Sequence, residues 1–152
     1  KFVLPGYNVR PLEMSGAIGI EQLKKLPKFI DQRRKNAEYF VELFSNHPFL
    51  YIQKEIGSSS WFGFSLILKE KSPISRSDLV SMLVKNEIEC RPIVTGNFLK
   101  NVEVLKYFDY EISGTLKNAD YIDKQGLFVG NHHVCIKNEL DFLFDTLKIT
   151  SA

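Results

Sequence analysis

Near the start of the chain stands Gly6-Tyr7-Asn8-Val9-Arg10-Pro11, which places an amide and a guanidinium at the mouth of a helical pattern. Pro11 suits a first helical position. A helix start presents free backbone N–H groups and a positive dipole end, which attract anions such as phosphate. An amide donates to a phosphate oxygen, and a guanidinium offers paired donors. On the residues alone, a cap for the following helix is the favoured role of Asn8, with phosphate binding as the alternative. Arg91 closes a strand pattern, with Thr95-Gly96-Asn97 just beyond it. That is where α/β proteins place ligand groups, although a surface ion pair is the competing reading of Arg91. His132 and His133 follow Gly130-Asn131 in a loop pattern. Adjacent histidines rarely chelate together and no third ligand has suitable spacing, so no metal site is expected. His132 facing a substrate and a loop histidine without a task both stand. Cys90 and Cys135 lack a C-x-x-C spacing and read as buried structural thiols.

These groups must be carried by a core, and the composition supplies one. The 152 residues are 44% hydrophobic and 12% aromatic, which favours a single packed domain over disorder. The formal charge of +2 is nearly balanced. The densest basic cluster, Arg33-Arg34-Lys35, reads as a solvated helix face and not as a nucleic-acid footprint. The apolar runs fall short of a membrane span and no signal pattern opens the chain, so a cytoplasmic protein without membrane or nucleic-acid partners is expected.

Helical periodicity runs from Pro11 to about His47, where Pro27 predicts a break or kink. Strands are predicted over Tyr51 to Ile56, Trp61 to Lys69, Ile88 to Pro92 and Leu127 to Val129. In the second of these, Phe62, Phe64, Leu66 and Leu68 share one face and Trp61 falls on the other. Ser75 and Asp78 stand at capping-box spacing ahead of the stripe Leu79, Val80, Leu83 and Val84. Short helices are expected through Leu105 and Phe108, from Leu116 to Lys124, and from Lys137 to Leu147. The order predicts an α/β (α+β) unit with helices packed on one face of a small sheet.

The opening motif continues into Ser15-Gly16-Ala17-Ile18-Gly19, and together they resemble the start of the C-terminal part of the DegT/DnrJ/EryC1/StrS family. Three further stretches are similar to its sugar-nucleotide 3-dehydratase branch: Ser60 to Phe64, Glu89 to Phe98, and Leu127 to His132. Within that branch the members acting on GDP-linked sugars are favoured over the CDP-sugar enzymes. The resemblance implies the small C-terminal domain of the aspartate-aminotransferase fold, fold type I of the pyridoxal-phosphate enzymes. It implies residues 1–47 as a leading motif and interdomain helix, 48–152 as the small domain, and a large cofactor-binding domain absent from this stretch. Asn8 and Arg10 are then cofactor-binding residues that reach a neighbouring subunit's phosphate. Arg91, Asn97 and His132 are then substrate-binding. No catalytic residue is expected here, and the chain alone is expected to be inactive and without cofactor. Pyridoxal or pyridoxamine phosphate, a nucleotide-linked sugar (GDP-sugar favoured), glutamate and a homodimer are implied for the full-length enzyme, a dehydratase of deoxysugar and O-antigen biosynthesis. An aminotransferase of the same family, or a stand-alone binding or assembly module, are the alternatives.

Overall fold

The computed structural model describes residues 12–94 and 96–148. Its first element, α1 (Glu13–Phe44), is one uninterrupted helix of 32 residues that contains Pro27. Of the two outcomes expected at Pro27, two helices or one bent helix, the division into two is not found. A proline inside a helix loses one backbone hydrogen bond and crowds the preceding turn. Residues 12–28 are all exposed, so the carbonyl freed one turn earlier faces water and not an apolar core. The second half of the helix is anchored differently. Asn36, Ala37, Phe40 and Phe44 are buried, at the three- and four-residue steps that keep one face turned to the core.

That face meets an antiparallel sheet of order β1-β2-β4-β3, made of β1 (Leu50–Ile52), β2 (Gly63–Leu68), β3 (Cys90–Arg91) and β4 (Gly126–Gly130). The register pairs Leu50 with Leu68, Leu66 with Leu127, and Phe64 with Val129, which aligns the apolar side chains of three strands on one face. The Phe64 ring lies parallel to Phe40, centroids 4.3 Å apart, and Phe40 stacks in turn on Phe44 at 4.8 Å. Leu79 and Leu83 of α2 (Arg76–Lys85) and Leu140, Leu143 and Leu147 of α5 (Lys137–Lys148) complete this core. The capping box that starts α2 is formed as the sequence predicts: Ser75 Oγ accepts from the Asp78 amide, and the Asp78 carboxylate accepts from the Ser75 amide. The Ser75 hydroxyl also donates to that carboxylate at 2.6 Å, and this bond first, the Ser75 amide second, holds the Asp78 carboxyl below its ordinary value.

The remaining helices, α3 (Val102–Leu105) and α4 (Lys117–Gln125), follow the loop after β3. α4 borders the opposite face of the sheet, where its Tyr121 hydroxyl donates to the Leu68 carbonyl at 2.6 Å and its Ile122 shares a cavity with Tyr51 and Ile67.

The predicted alternation fails at the entrance to β2. Trp61 is buried and Phe62 is 75% exposed, the reverse of what strict two-residue alternation requires. The cause is local: Trp61 has φ 49°, a left-handed conformation that turns the chain over just before the ladder begins. Gly63 follows, and a Cβ there would lie 2.7 Å from the Val129 carbonyl, so the close approach of β2 and β4 requires glycine. Cys135 is exposed and Cys90 half-buried, which corrects the expectation of two buried thiols; both are free.

Candidate substrate-facing site

The flipped entrance to β2 gives the sheet's open face an aromatic wall. Phe62 and Phe128 tilt toward each other with centroids 6.0 Å apart, and with Glu89, Arg91, Gly130 and Asn131 they line a cavity of about 320 Å³. Arg91 and Phe128 are register partners across β3 and β4. The Arg91 guanidinium donates from Nε (3.0 Å) and Nη2 (2.7 Å) to the same oxygen of Glu89. Both side chains are well exposed, 69% and 77%, so this pair is screened by water and easily exchanged for another partner. The arrangement offers a charged donor, a carboxylate acceptor and two ring faces on one shallow surface, which suits a planar, anionic ligand. On the β3 neighbour Cys90, burial pushes the thiol pKa up, so it is held as a neutral packing group and not as a nucleophile.

Asn97 is buried and lies outside that cavity, in the loop after β3. Its Oδ1 accepts from the Leu99 amide, its Nδ2 donates to Asp120, and its own amide donates to Asp123 Oδ1 at 3.1 Å. Lys100 also bonds Asp123, and this contact, ahead of the Asn97 amide, holds the Asp123 carboxyl low. Gly96 has φ 66° and packs so tightly on Asp123 that a Cβ would lie 1.8 Å from its Oδ1. Asn97 is thus committed to seating the loop on α4, with its side-chain polar atoms turned inward.

His132 is exposed beyond β4. Its ring stacks on His133 at 4.2 Å, and His133 rests on Phe29 of α1 at the same distance. Among the described residues no group of His, Cys, Asp or Glu could hold a metal ion. Asn8 and Arg10 lie outside the described residues. Of the candidate residues, the structure therefore brings Arg91 to an open cavity, leaves His132 outside its lining although next in sequence to the lining residue Asn131, and sets Asn97 apart.

Sequence reasoning missed the residues that build the rim. Asn131 Nδ2 donates to the carbonyls of Arg33 and Trp61, each at 3.0 Å, and its Oδ1 accepts from Asn36. Asn36 Nδ2 also reaches the carbonyls of His132 (3.0 Å) and Val134 (2.8 Å). This buried amide hub ties the middle of α1 to the loop that leaves β4. Its only sequence signal is the position of Asn131 inside the Gly130-Asn131-His132 stretch; nothing local marks Asn36. Phe62 was hidden by its expected place in the core, and Glu89 and Phe128 by their strand patterns.

Among the described residues no helix is long and apolar enough to cross a membrane. A GDP-4-keto-6-deoxy-D-mannose 3-dehydratase of Yersinia pseudotuberculosis is 69% identical over 148 residues, which is 97% of this chain and 38% of that protein. Two solved structures superpose with a TM-score of 0.88 at 65% identity, each covering 97% of this chain and 38% of its own. One is a histidine-to-asparagine variant of GDP-4-keto-6-deoxymannose 3-dehydratase with bound GDP-perosamine, the other the same enzyme with a trapped PLP-glutamate geminal diamine. The chain thus spans well under half the length of the relatives it matches, with the mixed α/β architecture of the pyridoxal-phosphate aminotransferase fold. Its match to the family extends over residues 2–148, and the chain belongs to the DegT/DnrJ/EryC1/StrS aminotransferase family.

Proposed function

We propose that this chain is the C-terminal part of a sugar-nucleotide 3-dehydratase, a cytoplasmic homodimer that removes the C3 hydroxyl from a GDP-linked 4-keto-6-deoxy sugar. The observation that carries the reading is the 69% identity over 97% of the chain to a protein of that activity. In this reading residues 1–47 form the leading motif and interdomain helix, and 48–152 the small domain. The exposed apolar side chains of Met14, Ile18, Ile20, Leu23 and Leu26 support it, because a helix with such residues in the open needs cover from elsewhere in the protein.

The cofactor in this reading is pyridoxal or pyridoxamine phosphate, which supplies an electron sink when bound. Asn8 and Arg10 fit its phosphate by the chemistry of their donors, an amide and a guanidinium. What this chain does in the reaction is bind and orient. Arg91 leaves Glu89 to neutralise the diphosphate or a carboxylate, while Phe62 and Phe128 present ring faces to the ligand. His132 lies toward the sugar. Asn97 acts through the loop it seats on α4. Proton transfer at the sugar belongs to groups outside this chain.

The full-length polypeptide, supplied with GDP-4-keto-6-deoxymannose, glutamate and pyridoxal phosphate, tests this directly. The reading expects a product lighter than the substrate by one oxygen atom, with 2-oxoglutarate and ammonia released together. An amino sugar formed without ammonia would instead make the enzyme an aminotransferase.

A further inference from the structure

At the open end of the β2–β4 ladder the chain leaves regular pairing. Beyond the Gly63–Gly130 pair, the Asn131 amide reaches the Phe62 carbonyl only at a long 3.4 Å. One side chain compensates. Arg33, on α1, donates from Nη2 to the Phe62 carbonyl at 2.8 Å and to the Asn131 carbonyl at 3.4 Å. Its guanidinium carbon also stands 5.8 Å from the centre of the Phe62 ring. Arg33 Nε is buried with no hydrogen-bond partner, so the head group is set by its contacts at Phe62 and Asn131 and not by its full complement of bonds.

Asn131 also ties the entrance of β2 to α1, its Nδ2 donating to the Trp61 and Arg33 carbonyls. The left-handed Trp61 sends its own ring inward and throws Phe62 outward. A large apolar ring in water gains nothing by staying there unless its backbone is fixed. From this geometry we infer that Arg33 is a positioning residue: by bridging the Phe62 and Asn131 carbonyls it holds the Phe62 ring outward as one wall of the Arg91 cavity. The consequence for ligand affinity rests on the function proposed above, whereas the placement of Phe62 does not.

The test uses the full-length polypeptide with 4-fluorophenylalanine at Phe62, followed by fluorine NMR, and calorimetric titration with GDP as the probe. With Arg33 intact, a single fluorine resonance displaced from its solvent value is expected. Arg33→Met, which keeps the aliphatic stem and loses the donors, should move it to the solvent value or broaden it. Arg33→Lys, able to serve one carbonyl, should restore part of the displacement. GDP binding should weaken about tenfold in Arg33→Met and equally in Phe62→Leu, on the scale of one aromatic contact. The double variant should be no weaker than either single, because both remove the same wall. An unmoved fluorine resonance in Arg33→Met, or losses that add in the double variant, overturns the inference. If the unsubstituted protein does not bind GDP, the nucleotide reading falls, and the fluorine resonance alone decides the role of Arg33.

Discussion

Arg91 illustrates how much a single side chain reveals before the structure is known. Its type and its place after a strand pattern mark it as a ligand residue or a surface ion pair, and the structure makes it the second in a way that permits the first. Its Glu89 partner is mostly in water, where such a pair contributes little. In the full-length enzyme, Arg91→Ala should raise KM for the GDP-sugar by about ten- to a hundredfold, the scale of a lost charge-assisted hydrogen bond, and leave kcat within a few-fold. Steady-state kinetics checks it; an unchanged KM removes Arg91 from the binding surface. Asn36 makes the opposite case. It was illegible, because a buried amide in mid-helix looks like any polar residue on a solvated face. It holds Asn131, His132 and Val134, and truncation takes this donor from the buried Asn131 Oδ1 and from two part-buried carbonyls. Asn36→Ala should cost about 2 to 4 kcal/mol, read as a shift in the denaturation midpoint.

Elements were legible where one local rule decided them. The Ser75–Asp78 capping box sets the start of α2, and the alternation Phe64, Leu66, Leu68 sets β2. Illegibility began where the outcome depended on surroundings: α1 continues through Pro27 because that stretch is exposed, and a left-handed Trp61 reverses the faces ahead of β2. The connection between α1 and β1 carries a further consequence. His47 is 3% exposed and its ring sits among Phe44, Phe49 and Phe144. Burial first, and the nearby Lys69 charge second, lower its pKa from 6.5 to about 4. The unfolded chain therefore binds the proton more readily than the folded one. The stability due to neutral His47 is fully present above about pH 6.5 and is lost as pH falls toward 4, up to about 3 kcal/mol. The shifted carboxylates Asp78 and Asp123 act lower, below their ordinary value of 3.8. His47→Phe should keep the ring packing and flatten the stability profile between pH 4 and 6.5. Urea melts across that range check it; an equally steep profile in the variant assigns the slope to other groups.

For the whole molecule, the proposed function separates two tasks: in that reading this chain contributes binding and orientation to a site whose chemistry resides elsewhere in the full-length protein. The fold class was legible from element order alone, since helices and strands of these lengths have few ways to bury one apolar face. The family was legible from short stretches in register, including the opening motif. What the two ends of such a site do for each other depends on subunit arrangement, which no local pattern encodes. In the proposed homodimer, Asn8 and Arg10 serve the neighbouring subunit's cofactor. The most direct measurement mixes two full-length variants, each inactive alone: Arg10→Ala, and one lacking the catalytic base outside this chain. Random exchange places one intact site in half of the dimers, so activity recovering to roughly a quarter of the unsubstituted enzyme is the predicted result. No recovery after subunit exchange has been demonstrated would mean that Arg10 serves its own subunit, and would contradict the shared site.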